Sequence, residues 1–355
     1  MSKKILIFTT RYGHLSLAQA ANEAYKKDGW ETKLVNQELK NLQTSYNLIY
    51  LFFPKAWKYF YPIFNARRLQ GILKKLNKVV VPAQIVKEIE EFKPSLVLST
   101  HCVFNQVLEK NKNKYNYKLL SIVVDPRTIF SYYFSTDVDL HFVYDQKLKN
   151  ELNLGGVDKK KIIITGWLTR KSFYQKSEKI EKAKKPISIL IVAGSVGTNS
   201  LFKFLPIFKE FEKDLKLTIV AGSSKLFYQT LNSYRCVNKM NYKLYGFTNN
   251  LPGLMNKADL VAGKAGPNSL FEAVAMNKPF LVLTHLRGQE SGNLEIIKEK
   301  NLGWITEKPK QLRVVLGQIL NNPELINEKA RSVLKEKAGN IQAADKIVKA
   351  SEQIL

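Results

Sequence analysis

Between Gly263 and Asn293 the sequence runs GKAGPNSLFEAVAMNKPFLVLTHLRGQESGN: a tight loop, a helix start, an apolar run and a second polar loop. Gly263 and Gly266 permit sharp turns and a close approach of the backbone to a ligand. Asn268 or Ser269 is expected to cap a helix running through Met276, and free N–H groups at such an N-terminus attract phosphate. Glu272, one turn into that helix, can accept hydrogen bonds from two ribose hydroxyls. Phe280 to Leu283 suits a short buried parallel strand, and ligands of open α/β sheets bind just beyond the C-terminal ends of such strands. There the chain supplies Gln289, Glu290 and Asn293, neutral and acidic groups fit for sugar hydroxyls. The chemistry these residues share is a grip on a nucleotide sugar. The alternative is a generic αβ unit with a polar loop.

Acid–base candidates fall in the first half of the chain. His14 opens the first expected helix, just after the first expected strand. A His at a helix N-terminus has its neutral form favoured, which suits a general base; a helix-capping His without chemistry is the alternative. His101 closes Ser99-Thr100-His101 at the end of another strand. Asp125, in Asp125-Pro126, follows a third, and is expected to act as a base or to orient His14 or His101. His141 lies within the strand-like DLHFVYD and reads as a packed core His. Asp137 and Asp139 make a D-x-D tripeptide, but they enter a strand, and no metal is expected on them. No His/Cys cluster has zinc spacing. The expectation is a site with neither metal nor cofactor, where N–H groups and the positive field stabilise phosphate.

These groups need elements to position them. Ile5–Thr10, Thr32–Asn36, Leu96–Ser99 and Leu119–Val124 read as strands, and Leu15–Asp28, Ala83–Phe92 and Phe104–Lys110 as helices. That alternation predicts a doubly wound parallel α/β sheet. A Lys-heavy stretch, Gln175–Lys185, ends at Pro186 and reads as a linker. A second series follows, with strands at Ile187–Ala193, Leu217–Val220, Leu260–Ala262 and Phe280–Leu283. Residues 1–175 are therefore expected to form one domain and 186–340 another, with a helix over 341–355 packing back on the first. A chain of 355 residues is comfortable for two cores.

Composition narrows the partners. With 45% hydrophobic and 24% charged residues, the chain reads as an ordinary folded protein. The net charge of +26 is not ordinary, and it is shared: residues 1–175 hold 28 basic and 14 acidic side chains, the remainder 28 and 16. No single domain is a basic appendage, and nucleic acid, anionic lipid and anionic small substrates all stay open. Two cysteines suggest no disulfide framework and a reducing cytoplasm. MSKKILIFTT is too short in apolar residues for a signal peptide. No run approaches the roughly 20 apolar residues of a transmembrane helix.

Between Glu38 and Glu88 there is no carboxylate. Within that stretch Tyr50, Phe53, Trp57 and Phe60 share roughly one face of a candidate helix, although Pro54 and Pro62 would bend or break it. Lys55, Lys58, Arg67 and Arg68 flank them. An aromatic face beside basic residues suits the headgroup boundary of an anionic membrane; the alternative is a core helix with solvated lysines. A single-strand nucleic-acid groove ranks below both, because stacking platforms usually sit on sheets.

Several motifs resemble those of glycosyltransferase family 28, and within it the enzymes that glycosylate diacylglycerol. The likeness lies in Gly266-Pro267 before a helix bearing Glu272, and in Gly288-Gln289-Glu290-Ser291-Gly292-Asn293. Gly194-Ser195-Val196-Gly197 resembles a GGSxG turn, with Ala193 in place of the first Gly. Tyr245-Gly246-Phe247 resembles the turn that reads uracil, with Phe247 at the base. His14, His101 and Asp125 occupy family turns, but Thr10-Arg11-Tyr12 replaces most glycines of the first, and no His follows Asp125 between Arg127 and Ser135. Gly166-Trp167-Leu168-Thr169 stands where the family has Gly-x-Pro. The resemblance implies the GT-B fold, two Rossmann-like doubly wound domains facing a cleft, the C-terminal helix returning to the N-domain. It implies inverting, metal-independent transfer of a hexose from a UDP-sugar to a diacylglycerol-like lipid. Gly194, Gly197, Phe247, Gly266, Pro267, Asn268, Ser269, Glu272, Gln289, Glu290 and Asn293 would hold the donor. The protein would sit peripherally on the cytoplasmic face of the cell membrane. The alternatives are a UDP-GlcNAc transferase acting on a lipid-linked cell-wall precursor, and a non-catalytic membrane- or nucleic-acid-binding protein on the same scaffold.

Overall fold

A computed structural model describes residues 3–11, 13–37, 84–174, 183–193 and 198–355. The aromatic, carboxylate-free segment with Tyr50, Phe53, Lys55, Trp57, Lys58, Phe60, Arg67 and Arg68 lies outside the described residues, as do Gly194 and Gly197.

The chain divides into two compact units. The first comprises Met1–Lys171, Arg287–Gln289 and Asn340–Leu355, the second Ser172–Leu286 and Glu290–Gly339. In the first, the order is β1 (Lys4–Thr9), α1 (Gly13–Lys27), β2 (Glu31–Asn36), α2 (Gln84–Phe92), β3 (Leu96–Ser99), α3 (Asn105–Tyr115), β4 (Lys118–Ile122), β5 (Leu140–Val143), α4 (Gln146–Leu154) and β6 (Ile162–Ile164). The second continues with β7 (Ile187–Val192), α5 (Leu205–Glu210), β8 (Leu215–Val220), α6 (Lys225–Val237), β9 (Tyr242–Tyr245), α7 (Leu251–Asn256), β10 (Leu260–Lys264), α8 (Pro267–Ala275), β11 (Phe280–Thr284), α9 (Ser291–Glu299), β12 (Gly303–Ile305), α10 (Pro309–Asn321) and α11 (Glu324–Asn340), before α12 (Ala343–Glu352) closes the chain.

Each unit holds a six-stranded sheet whose described pairings are all parallel. The orders are β2-β1-β3-β4-β5-β6 and β12-β11-β10-β7-β8-β9. Central strands such as β1 (KILIFT) and β3 (LVLS) are apolar almost throughout and buried on both faces, as helix-covered parallel sheets require. In the first unit Leu6, Phe8, Val97 and Leu119 pack against Ile85 and Ile89 of α2 and Leu108 of α3. In the second, Ile187, Ile189 and Ile191 of β7 meet Leu205 and Phe208 of α5 and Leu312 of α10. The fold is GT-B.

α12 packs on α1. Tyr25 of α1 and Ser351 of α12, both buried, share a hydrogen bond of 2.7 Å, and burial pushes the Tyr25 phenol well above its ordinary pKa. The C-terminal helix thus joins the first core through apolar contact and this buried polar pair, with the exposed ion pairs Lys3–Glu352 and Lys27–Asp345 at its rim.

The structure corrects the reading of one glycine. Gly263 is not a turn residue facing a ligand but a strand residue of β10. A Cβ there would lie 2.5 Å from the Val192 carbonyl oxygen of the neighbouring β7, a backbone atom that cannot swing away. Gly263→Ala should therefore destabilise the fold by about 1–3 kcal/mol. Gly317→Ala, inside α10 with nothing within 4 Å, should stabilise it by about 0.5–1 kcal/mol. Urea unfolding of the two variants against the wild type checks both signs.

Candidate functional site

In the first unit β1 is followed by β2 on one side and β3 by β4 on the other, so the sheet reverses direction between β1 and β3. At such a switch point the connections leave to opposite faces and open a crevice beyond the strand ends. His14, at the start of α1, and His101, just past β3, meet there with ring centroids 4.4 Å apart. Their tautomers follow from their partners. His14 Nδ1 lies 2.7 Å from the Thr100 carbonyl oxygen, which only accepts, so Nδ1 carries the proton and Nε2 keeps a basic lone pair. Thr100 is itself fixed, its hydroxyl donating to Thr9 Oγ1 at 2.8 Å. His101 caps a short 3-10 turn over Cys102–Phe104 by accepting the Val103 N–H on Nδ1, so its proton sits on Nε2. Both residues are half-buried at the surface yet densely surrounded by protein. Burial lowers the His14 pKa against the opposing pull of the Thr100 carbonyl. Burial, then the charge of His14, holds His101 well below 6.5. Two neutral imidazoles therefore stand side by side near pH 7, one offering a base and the other a donor.

The Nδ1 atoms of both rings are held by backbone, one by a carbonyl and one by an N–H, rather than by a carboxylate. Asp125 lies where its field, after burial, raises the Cys102 thiol, and where it adds to the upward shift of the Tyr133 phenol. It remains beside the segment that carries His101. The loop after it is stiffened by Arg127, buried, which reaches both carboxylate oxygens of Asp145 at 2.9 and 2.7 Å. Asp145 also caps α4 by accepting the Leu148 N–H at 3.0 Å. Arg127 was not singled out by sequence reasoning. His141 is fully buried, with Nε2 2.9 Å from the Ser135 carbonyl oxygen, and Asp139 is taken up by Lys112 and the Leu119 N–H.

The second unit reverses between β7 and β10. Gly266, not Asn268 or Ser269, is the N-cap of α8, with Pro267 in the first helical position. Proline's locked φ and missing N–H suit that place. No side chain caps this helix, so the N–H groups of Asn268 and Ser269 in the first turn are presented without a protein side-chain acceptor. Gly266 through Ser269 are partly exposed, and Glu272 is buried one turn in.

Glu290 and Asn293 are also buried, and both hold backbone. Glu290 takes the Leu286 N–H on Oε2 at 2.7 Å and Lys264 Nζ on Oε1 at 2.5 Å. Asn293 donates to the Ala265 carbonyl oxygen at 2.8 Å. The polar loop after β11 is therefore a clamp on the loop after β10, an arrangement that a reading of these residues purely as sugar ligands did not contain. Gln289 groups with the first unit. Phe247 is 74% exposed in the turn after β9. Sequence reasoning missed Lys264, although a lone cation closing an apolar strand before Gly266 was visible. It also missed His285, whose Nδ1 lies 2.5 Å from Glu307 Oε1 and whose Nε2 lies 3.3 Å from Ser291 Oγ. Glu307 is distant in sequence, so no local spacing pointed to it. Among the described residues no group of three His, Cys, Asp or Glu side chains could hold a metal ion.

Two Rossmann-like units, each with polar groups gathered at its switch point, define the GT-B class of fold. The chain belongs to glycosyltransferase family 28: residues 14–167 match the family of monogalactosyldiacylglycerol (MGDG) synthase and residues 188–346 the glycosyltransferase family 28 C-terminal domain. It is similar to monogalactosyldiacylglycerol synthase 2, chloroplastic, of Arabidopsis thaliana, with 21% identity over 88% of this chain and 72% of the relative. It is also similar to a processive diacylglycerol beta-glucosyltransferase of Bacillus cereus (strain B4264), with 22% identity over 95% of this chain and 92% of the relative. Among solved structures, S. aureus MnaA with UDP superposes with a TM-score of 0.65 at 15% identity, covering 98% of this chain and 95% of that one.

The buried imidazoles make stability depend on pH. Burial pushes His141 down to about 4, whereas an unfolded His takes up its proton near 6.5. Stability is thus fully present above about pH 6.5 and falls as the pH drops toward 4, by about 3 kcal/mol for His141 alone. His14 and His101 act in the same direction. Urea midpoints measured from pH 7 to 4 should show that fall, and His141→Gln, which can still donate to Ser135, should lose about one proton's share of the slope.

Proposed function

We propose that this glycosyltransferase moves a hexose from a UDP-sugar to a hydroxyl of a diacylglycerol-type membrane lipid, with inversion at the anomeric carbon and without a metal ion. The observation that carries the reading is the α8 N-terminus at the second switch point, uncapped by any side chain and adjoining buried Glu272. A diphosphate on those N–H groups would bring its ribose within reach of Glu272 and its base toward exposed Phe247. Gly194 and Gly197 are assigned to the same donor, by resemblance. Sugar hydroxyls would meet Gln289, Glu290 and Asn293.

His14 is the base. Its Nδ1–H is tied to Thr100, so Nε2 accepts the proton of the acceptor hydroxyl as that oxygen attacks the anomeric carbon opposite UDP. The bond from that carbon to the diphosphate oxygen breaks, and the first-turn N–H groups of α8 stabilise the charge that develops. His101 presents its Nε2–H beside the base and supports the acceptor oxygen. Asp125, whose field reaches Cys102 next to His101, is the alternative base.

The lipid acceptor is supported by the two relatives, whose names specify diacylglycerol products or substrates, and by the carboxylate-free aromatic segment of the sequence. The assigned mode is peripheral attachment to the anionic cytoplasmic face, on the strength of that basic, aromatic segment; no described helix is long and apolar enough to cross a membrane.

Labelled UDP-glucose, UDP-galactose and UDP-GlcNAc, each supplied with liposomes of diacylglycerol and phosphatidylglycerol, test the reading. Labelled lipid with one of them is expected; none with any would sink it, and label reaching only a polyprenyl-diphosphate precursor would move the acceptor. His14→Ala should lower kcat by about 10²- to 10⁴-fold with UDP affinity unchanged. Glu272→Ala should instead abolish UDP binding in calorimetry.

A further inference from the structure

Lys264 and Glu290 come from the C-terminal ends of neighbouring strands, one closing β10 and the other in the loop after β11. Their charged atoms meet at 2.5 Å, with side chains only 18% and 6% exposed. Both carboxylate oxygens of Glu290 are satisfied, one by Lys264 and one by the Leu286 N–H. The ammonium is not saturated: it has three N–H donors and gives one to Glu290. The pair also adjoins the start of α8. A Cβ built on the N-cap Gly266 would lie 3.6 Å from Glu290 Oε1 and 3.9 Å from Lys264 Nζ.

A buried ion pair adds little net stability, because desolvating two charges offsets their attraction. Its position beside the uncapped helix start suggests another use. We infer that Lys264 is the cation for the donor's diphosphate, and that Glu290 holds it in place until the nucleotide arrives. On binding, the diphosphate oxygens take the ammonium's N–H donors and Glu290 is released toward the neutral hydroxyls of the donor sugar. The α8 N-terminus offers the equivalent of roughly half a positive charge, too little to balance a diphosphate, and Lys264 adds a whole one. The same exchange explains how Glu290 can be both a loop clamp and a sugar ligand: one oxygen stays on Leu286 while the other changes partner. This inference rests on the nucleotide-sugar reading.

Calorimetry with UDP, and ligand-observed NMR with uridine, on the wild type, Lys264→Met, Lys264→Arg and Glu290→Gln test it. Lys264→Met should weaken UDP by about 10- to 100-fold and leave uridine unchanged. Lys264→Arg should recover most of the loss. Glu290→Gln removes the competing carboxylate charge, so UDP should bind as tightly as in the wild type or more tightly, even if thermal stability falls. Lys264→Met binding UDP within twofold of the wild type would overturn the inference while leaving the donor reading intact. So would equal losses of UDP and uridine in that variant, the mark of a purely structural pair, or loss of UDP in Glu290→Gln. A wild-type protein that binds no UDP would remove the donor reading and this inference together. If Lys264→Met fails to fold by circular dichroism, Lys264→Met/Glu290→Met removes both charges, and its UDP and uridine affinities are read against the same expectations.

Discussion

A parallel sheet that reverses its winding direction imposes the constraint on which the chemistry depends. Beyond the ends of the two strands at the reversal no connection crosses, so loops there keep their polar groups accessible while the strands beneath stay buried. Both units obey this rule. In the first, the loops after β1 and β3 deliver His14 and His101. In the second, the end of β10 delivers Lys264 and the loop after it leads into the start of α8. The strands supply rigidity through apolar burial; the loops at the reversal supply the chemistry.

Within those loops the polar groups are disciplined by backbone more than by one another. The Thr100 carbonyl and the Val103 N–H set opposite tautomers on two adjacent imidazoles, and no carboxylate is needed for it. Glu290 and Asn293 do the converse, side chains securing the backbone at Leu286 and Ala265. Each arrangement satisfies a group whose burial unpaired would cost about 1–3 kcal/mol. Positioning of the reactive atoms and satisfaction of buried polar groups are thus achieved by the same contacts.

Central strands were legible because apolar runs such as ILIF and ILIV have no other stable fate than a sheet covered on both faces. The edge strands β6 and β12, with three residues each, carry too few positions to show a period, and β9 was hidden beside a turn. The α8 cap was misplaced for a local reason. Asn and Ser have the stronger capping preference, but Gly266 takes the extended conformation of a cap and Pro267 fits the next position, so the helix starts earlier. Of the candidate site, the segments were legible and the partners were not. His14 could be named as a base, but not that Thr100 would fix its tautomer. Glu290 could be named as a polar ligand, but not that Lys264 would occupy it.

The sequence by itself determined the two parallel α/β units, the apolar strands that end in polar loops, the strong positive charge and the identity of nearly every candidate group. These follow from composition, period and residue type, which act over a few neighbouring residues. Only the tertiary structure decided which strands stand side by side, and hence that His14 meets His101 across 87 positions of chain, that Glu290 meets Lys264, and that Gly263 serves packing against Val192. Those pairings depend on strand order and register, which are set by how whole sheets bury their apolar faces and leave no local trace in the residues that they bring together.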